Sequence, residues 1–497
     1  MVSFSNLNKK IVFVTPELKS FKNRAGGLGQ VSEELVKALS ELGLKVITVS
    51  TLYKYKITDN NTFEEIDYST LNLKLIGEID VPIDKIYKTK IYKSETYNTD
   101  FYFLYNEEIC FSLYCGDLLK YAIFLGKGTL ELLRFLKIVP DIIHLNDALT
   151  SLVAFYAKNS IHYYEFSNVK FVFTIHNAGI AYQQIFDISR AHEISDNNIK
   201  DFAYNNQINL LYCGVKLSDI VNTVSRDYEV TLKVYGENLK EIFNQKNVFG
   251  ILNGIDVEYW QDSEYRNANS RNILDIKEKK KKELIEAIKE ICGKELDINK
   301  MIISLPRRIS YQKGFEEIIP IIPKIISHGA QIVILGKYHP NDGYGKSIAD
   351  RFRELHKEFK EFVYIFGFNE KLAKLMYAGS DLLLYPSLPN KEPCGTGYMM
   401  ALVNATPTLG TKTGGLDEVL KDFDDVELSG NGFLVWEDEY NEFKGEAFYN
   451  KFLYVAEVFK DKTKWKRLLI NCLKSEKYVD MRRCAMKYIN KIYLKLL

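Results

Sequence analysis

The chain has 497 residues, too many for one hydrophobic core, so two or three domains are expected. A net charge of +1 argues against a nucleic-acid surface or an acidic partner, and 46% hydrophobic residues are enough for large cores. Seven scattered cysteines, odd in number and without Cys-x-x-Cys pairing, argue against a disulfide framework or a zinc site and favour a reducing, cytoplasmic setting.

The opening Met1-Val2-Ser3-Phe4-Ser5-Asn6 lacks signal-peptide anatomy, and no apolar run approaches a membrane span, so no membrane association is expected. Ile11-Val12-Phe13-Val14-Thr15 reads as a first buried strand. It leads through Pro16-Glu17 into Arg24-Ala25-Gly26-Gly27-Leu28-Gly29. Leu28, Val31, Leu35, Leu39 and Leu42 then recur at helical spacing, and Gly43 stops the helix. Lys45–Val49 is the next strand, so the chain opens as a βαβ unit with glycines where strand meets helix. The pattern is neither a dinucleotide GxGxxG nor a P-loop. Residues 51–105 alternate apolar and polar and read as strands and loops.

Asp141–His144 ends a strand just before Asn146-Asp147, and Lys170–Ile175 ends at His176-Asn177. Open α/β sheets bind ligands at strand carboxyl ends, which singles out Asp147 and His176. A structural role suits either residue as well. Ile220–Ser225 is a further strand, and a boundary is expected near Asn253-Gly254-Ile255-Asp256. The charged run Lys277–Glu290 carries an apolar stripe, Ile276, Leu284, Ile285, Ile288 and Ile291, and reads as a helix with a solvated face.

The second half repeats the rhythm, with strands expected at Met301–Leu305, Gln331–Leu335, Phe362–Phe366 and Asp381–Tyr385. Helices are expected over Gly314–Ile326, Ser347–Lys360 and from Phe448 to Leu497. After the first of these strands comes Arg307-Arg308-Ile309-Ser310-Tyr311-Gln312-Lys313-Gly314, where two cations flank a turn at a strand end, a placement suited to a diphosphate. Asp381–Tyr385 leads into the loop Lys391-Glu392-Pro393-Cys394-Gly395-Thr396-Gly397 and then an apolar helix, Tyr398–Val403. Strand, glycine-bearing loop and helix aim backbone N–H groups at an anion, and Glu392 can accept hydrogen bonds from a polyol. The same pattern fits an ordinary βα unit with a solvated glutamate. The fold class read from these elements is α/β, two doubly wound Rossmann-like halves facing across a cleft.

Taken together, these segments resemble the bacterial-type glycogen and starch synthases, retaining glycosyltransferases of the two-Rossmann-domain GT-B fold. The resemblance runs colinearly through Val14–Glu17 with Arg24–Leu28, His144–Asp147, Phe173–Asn177, Thr223–Ser225, Gly250–Asp256, Arg308–Gly314, Glu392–Gly395 and Thr413–Leu416. It implies an N-terminal, acceptor-side domain over 1–254, a C-terminal, donor-side domain over 255–475, and a closing helix over 476–497 that crosses back to the first domain. It implies transfer of glucose from ADP-glucose or UDP-glucose to the non-reducing end of an α-1,4-glucan, with no cofactor and no metal.

Carried over by position, the resemblance makes Arg308 and Lys313 the diphosphate cations and Glu392 the holder of donor glucose hydroxyls. His176 would contact the glucose near its 6-hydroxyl, and Asp147 would help place donor and acceptor. Gly26 and Gly27 would let backbone approach the phosphates, facing Arg308 and Lys313 across the cleft. Cys394 and Gly395 would add backbone N–H groups, and Phe368 would stack on the base. Arg24, Asn177 and Thr396 complete the implied substrate-binding set. Three positions depart from the family pattern: Arg24 stands for the usual Lys, Ala148 for the Trp after His-Asp, and Thr396-Gly397-Tyr398 for Leu-Thr-Gln. Two other classes share the fold, an α-glucan phosphorylase-like enzyme and a non-catalytic sugar-nucleotide-binding relative. The first needs a longer chain and a lysine-bound pyridoxal phosphate; the joint presence of Glu392, Arg308, Lys313 and His176 argues against the second.

Overall fold

The computed structural model describes residues 9–23, 26–58 and 62–497. The chain divides into two compact units, Met1–Asn253 with Met481–Leu497, and Gly254–Asp480. Residues 476–480 stay with the second unit, although the closing segment was expected to begin at 476. The Ile255 N–H donates to the Val479 carbonyl at 2.8 Å, which ties that short stretch to its own unit.

In the first unit, Ile11–Val14 is buried along its whole length, as a strand covered on both faces must be. It pairs in parallel with Val46–Thr51 on one side and Ile142–Asn146 on the other, with Ile11 opposite both Val46 and Ile142. Beyond Ile142–Asn146 come Lys170–Ile175, Ile220–Thr223 and Phe249–Gly250. Beyond Val46–Thr51 lies Thr99–Tyr105, extended by the antiparallel strands Ile86–Thr96 and Lys74–Pro82. Numbered along the chain, the parallel strands run 3-2-1-4-5-6-7, so the order reverses between Ile11–Val14 and Ile142–Asn146. That reversal is where an open sheet leaves a crevice at its strand carboxyl ends.

The helix Gly27–Glu41 buries Leu28, Val31, Leu35 and Leu39, and Gly43 follows at φ 91°, the left-handed conformation that ends a helix cheaply only with glycine. Its partner is the closing segment, where Met481–Tyr488 is α-helical and Ile489–Tyr493 forms a π turn. By helical spacing, the sequence marks Met486, Ile489, Tyr493 and Leu496 as an apolar stripe in this segment. Met481, Cys484, Ala485, Tyr488, Ile489, Ile492 and Tyr493 are the buried set, with Met486 and Leu496 at its margin.

The second unit holds a six-stranded, all-parallel sheet ordered Phe362–Phe366, Gln331–Gly336, Ile302–Pro306, Leu382–Tyr385, Thr408–Thr411, Gly432–Val435. Along the unit this is again 3-2-1-4-5-6, reversing between Ile302–Pro306 and Leu382–Tyr385. The last two strands escape a reading from sequence because each is four residues long and contains glycine. The helix expected over Gly314–Ile326 is three short pieces, Phe315–Ile318, Ile319–Ile321 and Ile322–Ser327. Pro320 and Pro323 remove the N–H groups that one continuous helix needs.

The basic helix Ile273–Cys292 corrects part of another expectation: Lys279, Lys282 and Lys289 are exposed on a solvated face, but three other lysines are not. Lys277, Lys280 and Lys281 are buried beside Leu284 and Ile288, while Ile291 is exposed. Lys281 pairs with buried Asp381 at 2.7 Å, and the Lys277 ammonium donates to the Ala378 carbonyl at 3.1 Å. Lys277 and Lys281 thus fasten the helix to the segment that leads into the strand Leu382–Tyr385.

Candidate active site

At the reversal point of the second sheet, the loops after Ile302–Pro306 and Leu382–Tyr385 are laced to each other and to the loop after Thr408–Thr411. The Leu388 N–H donates to the Gln312 carbonyl at 3.0 Å, and the Asn390 N–H donates to Thr413 Oγ1 at 3.0 Å. Gly314, at φ 67°, brings the first loop so close that a Cβ there would lie 1.8 Å from the Pro386 carbonyl oxygen. Gly395 does the same for the second loop, where a Cβ would meet the Tyr385 hydroxyl at 1.8 Å.

This lacing buries Glu392, which is 5% exposed. Its Oε2 accepts from the Lys313 ammonium and lies 3.4 Å from Arg307 Nη2. Burial works against ionisation of Glu392, but Lys313 and then Arg307 more than offset it, so its carboxyl titrates below the usual range. Burial pulls the Lys313 ammonium down to about 8, with Arg307 and Arg308 adding to the fall and Glu392 opposing it. Arg308, half-buried, contributes its charge to both groups.

Arg307 is the group that sequence reasoning passed over in favour of its neighbour. Its guanidinium carbon stands over the Tyr385 ring, 3.7 Å from the centroid, and the guanidinium donates to Ser387 Oγ at 3.1 Å. The only signal in the sequence was the doubled arginine. Cys394, Gly395 and Thr396 follow Glu392 and lead into the helix Gly397–Leu402. Phe368 stands 62% exposed beyond another strand end, after Phe366 and Gly367.

The first unit has its own cluster at the corresponding reversal. Asp147 follows its strand at φ 60°, a left-handed conformation that costs a non-glycine residue strain. Its Oδ1 accepts the His176 N–H at 2.7 Å. Burial drives the Asp147 carboxyl up to about 7, against the pull of the His176 and Asn177 N–H groups. Burial also lowers His176 to about 3, so its imidazole is neutral. Asn146 Nδ2 donates to the Val14 carbonyl at 3.0 Å, which leaves Asn146 Oδ1 to accept from His176 Nε2, also at 3.0 Å. The His176 Nδ1 lone pair is thereby the available acceptor. Asn177 turns its Oδ1 onto the Gly179 N–H at 2.8 Å.

Gly26 and Gly27 start the helix Gly27–Glu41, and among the described residues a Cβ on either would meet nothing within 4 Å. The Gly26 N–H donates to buried Glu17 at 3.1 Å. Arg24 lies outside the described residues. Among the described residues no group of three or more His, Cys, Asp or Glu is placed to hold a metal ion, and no helix is long and apolar enough to cross a membrane. All seven cysteines are free thiols.

Comparison with known proteins agrees with this layout. The family model for the starch synthase catalytic domain matches residues 10–245, and that for glycosyl transferases group 1 matches residues 299–447. A glycogen synthase of Thermosipho melanesiensis is 30% identical, with 98% of each chain covered. One from Clostridioides difficile is 28% identical over 97% of this chain and 98% of its own. Among solved structures, the catalytic domain of Arabidopsis thaliana starch synthase IV, bound to ADP and acarbose, matches with a TM-score of 0.78 at 23% identity. It covers 96% of this chain and 99% of that one. Two Rossmann-like units with their polar clusters at strand reversals, and relatives matched over nearly their full length, place this chain in the glycogen synthase family of GT-B glycosyltransferases.

Proposed function

We propose that the protein lengthens α-1,4-glucan by moving a glucosyl group from a nucleoside-diphosphate glucose, with retention at the anomeric carbon. The observation that carries this reading is the buried carboxylate of Glu392, held ionised beside Lys313 at the strand reversal of the second unit. In such a transfer a diphosphate leaves and positive charge grows on the sugar. Fixed cations meet the first need and a fixed carboxylate the second, without reorganisation at the moment of reaction. Arg308 and Lys313 are assigned to the diphosphate, so that protein cations do what a metal does in other transferases. Glu392 is assigned to glucose hydroxyls and to the developing charge. Backbone N–H groups of Cys394, Gly395 and Thr396 are assigned to the donor, and Phe368 to its base.

In the first unit, Asp147, His176 and Asn177 are assigned to sugar hydroxyls, with neutral His176 able to accept a hydrogen bond. Gly26 and Gly27, where an added Cβ would meet no described residue within 4 Å, are assigned to phosphate approach. On this reading the first unit serves the acceptor and the second the donor, in a cytoplasmic enzyme whose donor is ADP-glucose, as in the bacterial synthases it resembles. The curated relatives matched over 97–98% of the chain are glycogen synthases, which favours this reading over a phosphorylase.

The test is product analysis with maltohexaose as acceptor and ADP-glucose or UDP-glucose as donor. The expected result is a ladder of longer chains by mass spectrometry, whose new linkages are α-1,4 by proton NMR. Hydrolysis of the donor without chain extension, or a β linkage, contradicts the reading.

A further inference from the structure

Arg307 touches Glu392, yet it is built as more than a prop for that carboxylate. Its side chain is 7% exposed. One nitrogen, Nη2, makes every hydrogen bond it has, to Ser387 Oγ and Glu392 Oε2. Nε and Nη1 are buried and have no hydrogen-bond partner among the described residues. A buried guanidinium with two empty N–H positions is costly, because those donors have left water for nothing. Most buried donors in native proteins find acceptors, and an orphan on a permanent cation calls for an explanation.

The charge points the same way. Arg307 and Lys313 share one carboxylate, so the pair carries an excess positive charge in a nearly dry setting. Stacking on Tyr385 fixes the plane of the guanidinium, and Gly395 lets the Tyr385 hydroxyl come close to the Glu392 loop. Held in this way, the guanidinium loses little side-chain freedom on binding. Two fixed donors on a permanent cation match the oxygens of a phosphate.

We propose that Arg307 is a third cation for the donor's diphosphate, contacting phosphate oxygens through Nε and Nη1 while Nη2 keeps Glu392 in place. The assignment rests on the function proposed above. It gives Arg307 two duties that a lysine cannot combine, since the ammonium is a point charge with no fixed fork. It also makes the site prefer a diphosphate over a monophosphate more strongly than two cations alone do.

The test is calorimetric titration of the full chain with ADP, AMP and inorganic pyrophosphate, using wild type, Arg307→Gln and Arg307→Lys. The expected result is that Arg307→Gln weakens ADP and pyrophosphate binding by about tenfold or more, the worth of a charge-assisted hydrogen bond, and AMP binding by much less. Arg307→Lys should fall between wild type and Arg307→Gln, with the melting temperature of its ligand-free form close to wild type. If Arg307→Gln does not fold, the lysine variant decides on the same ratio of ADP to AMP affinity. Unchanged ADP and pyrophosphate affinity with a lowered kcat overturns the proposal and makes Arg307 a prop for Glu392. An equal loss for ADP and AMP overturns it as well. Failure of wild type to bind any of the three, or UDP in place of ADP, instead rejects the donor site itself.

Discussion

Glu392 combines burial with two cationic neighbours, and the balance leaves it ionised. A fixed carboxylate of this kind favours a transition state with positive charge on the sugar more than it favours the neutral ground state. Glu392→Gln keeps the shape and removes the charge. It is expected to lower kcat about 100- to 1000-fold with little change in donor KM, read by steady-state kinetics at saturating glucan. Lys391→Gln, at the exposed neighbouring position, should be nearly silent. A rise in KM alone for Glu392→Gln makes the residue a binding group. The Lys313 ammonium adds a pH dependence. Its pKa in the free enzyme is lowered from 10.5 to about 8, first by burial, so the charge is present below that value and lost above it. As pH rises through about 8, kcat/KM for the donor should fall, because that ratio reports the free enzyme. In the donor complex the phosphate charge holds the proton on, so kcat should persist to higher pH. Lys313→Arg should remove the alkaline fall, and a wild-type profile flat to about pH 9.5 contradicts the assignment. Glu392 and Lys313 were legible because each sits in a short motif beside a strand end. Arg307 was not, because no sequence rule says which of two consecutive arginines turns inward. That depends on how the chain leaves Pro306 and on Tyr385, 78 positions later in sequence by the difference 385 − 307.

Among the elements, the closing segment shows how a chain end is fastened. Tyr488 and Tyr493 reach three strands of the first sheet through a buried network. Asn222 Nδ2 donates to the Tyr488 hydroxyl at 3.0 Å, and Thr174 donates to Asn222 Oδ1 at 2.9 Å. Thr174 must then accept from His144 Nε2, at 2.7 Å, which leaves His144 Nδ1 to accept from Tyr493 at 2.8 Å. Burial lowers His144 to about 3, so the ring is neutral and this order of donors holds near neutral pH. Tyr493→Phe preserves packing but strands the His144 lone pair, and is expected to cost about 1–3 kcal/mol. Chemical denaturation of wild type and variant measures it, and an unchanged midpoint and slope contradict the network. Deleting residues after Val479 removes the buried face as well, so the truncated chain should lose its cooperative transition or melt far lower. Helical spacing in the sequence announced that this segment needs a partner face. The hydroxyl network was not visible, because it joins residues more than 300 positions apart, as His144 and Tyr493 are. The short strands Thr408–Thr411 and Gly432–Val435 were hidden for another reason: four residues with a glycine carry no periodicity.

For the molecule as a whole, both units repeat one plan, a parallel sheet that reverses order between its first and fourth strands. Alternation of strand and helix made the class legible, while the order of strands rests on right-handed crossovers that leave no mark on composition. Each unit places its polar residues at that reversal, and the second places cations there rather than a carboxylate pair. Activity is therefore expected to survive a chelator, and loss with EDTA that magnesium restores contradicts the assignment of Arg308 and Lys313. The central claim is that this chain transfers glucose to glucan through the Glu392 site. Its most direct test is incorporation of label from ADP-[14C]glucose into glycogen, with UDP-[14C]glucose in parallel, by wild type and Glu392→Gln. Labelled polymer is expected from wild type, with ADP-glucose preferred, and about 100-fold less or lower still from the variant. No incorporation from either donor, or equal incorporation by wild type and Glu392→Gln, contradicts it.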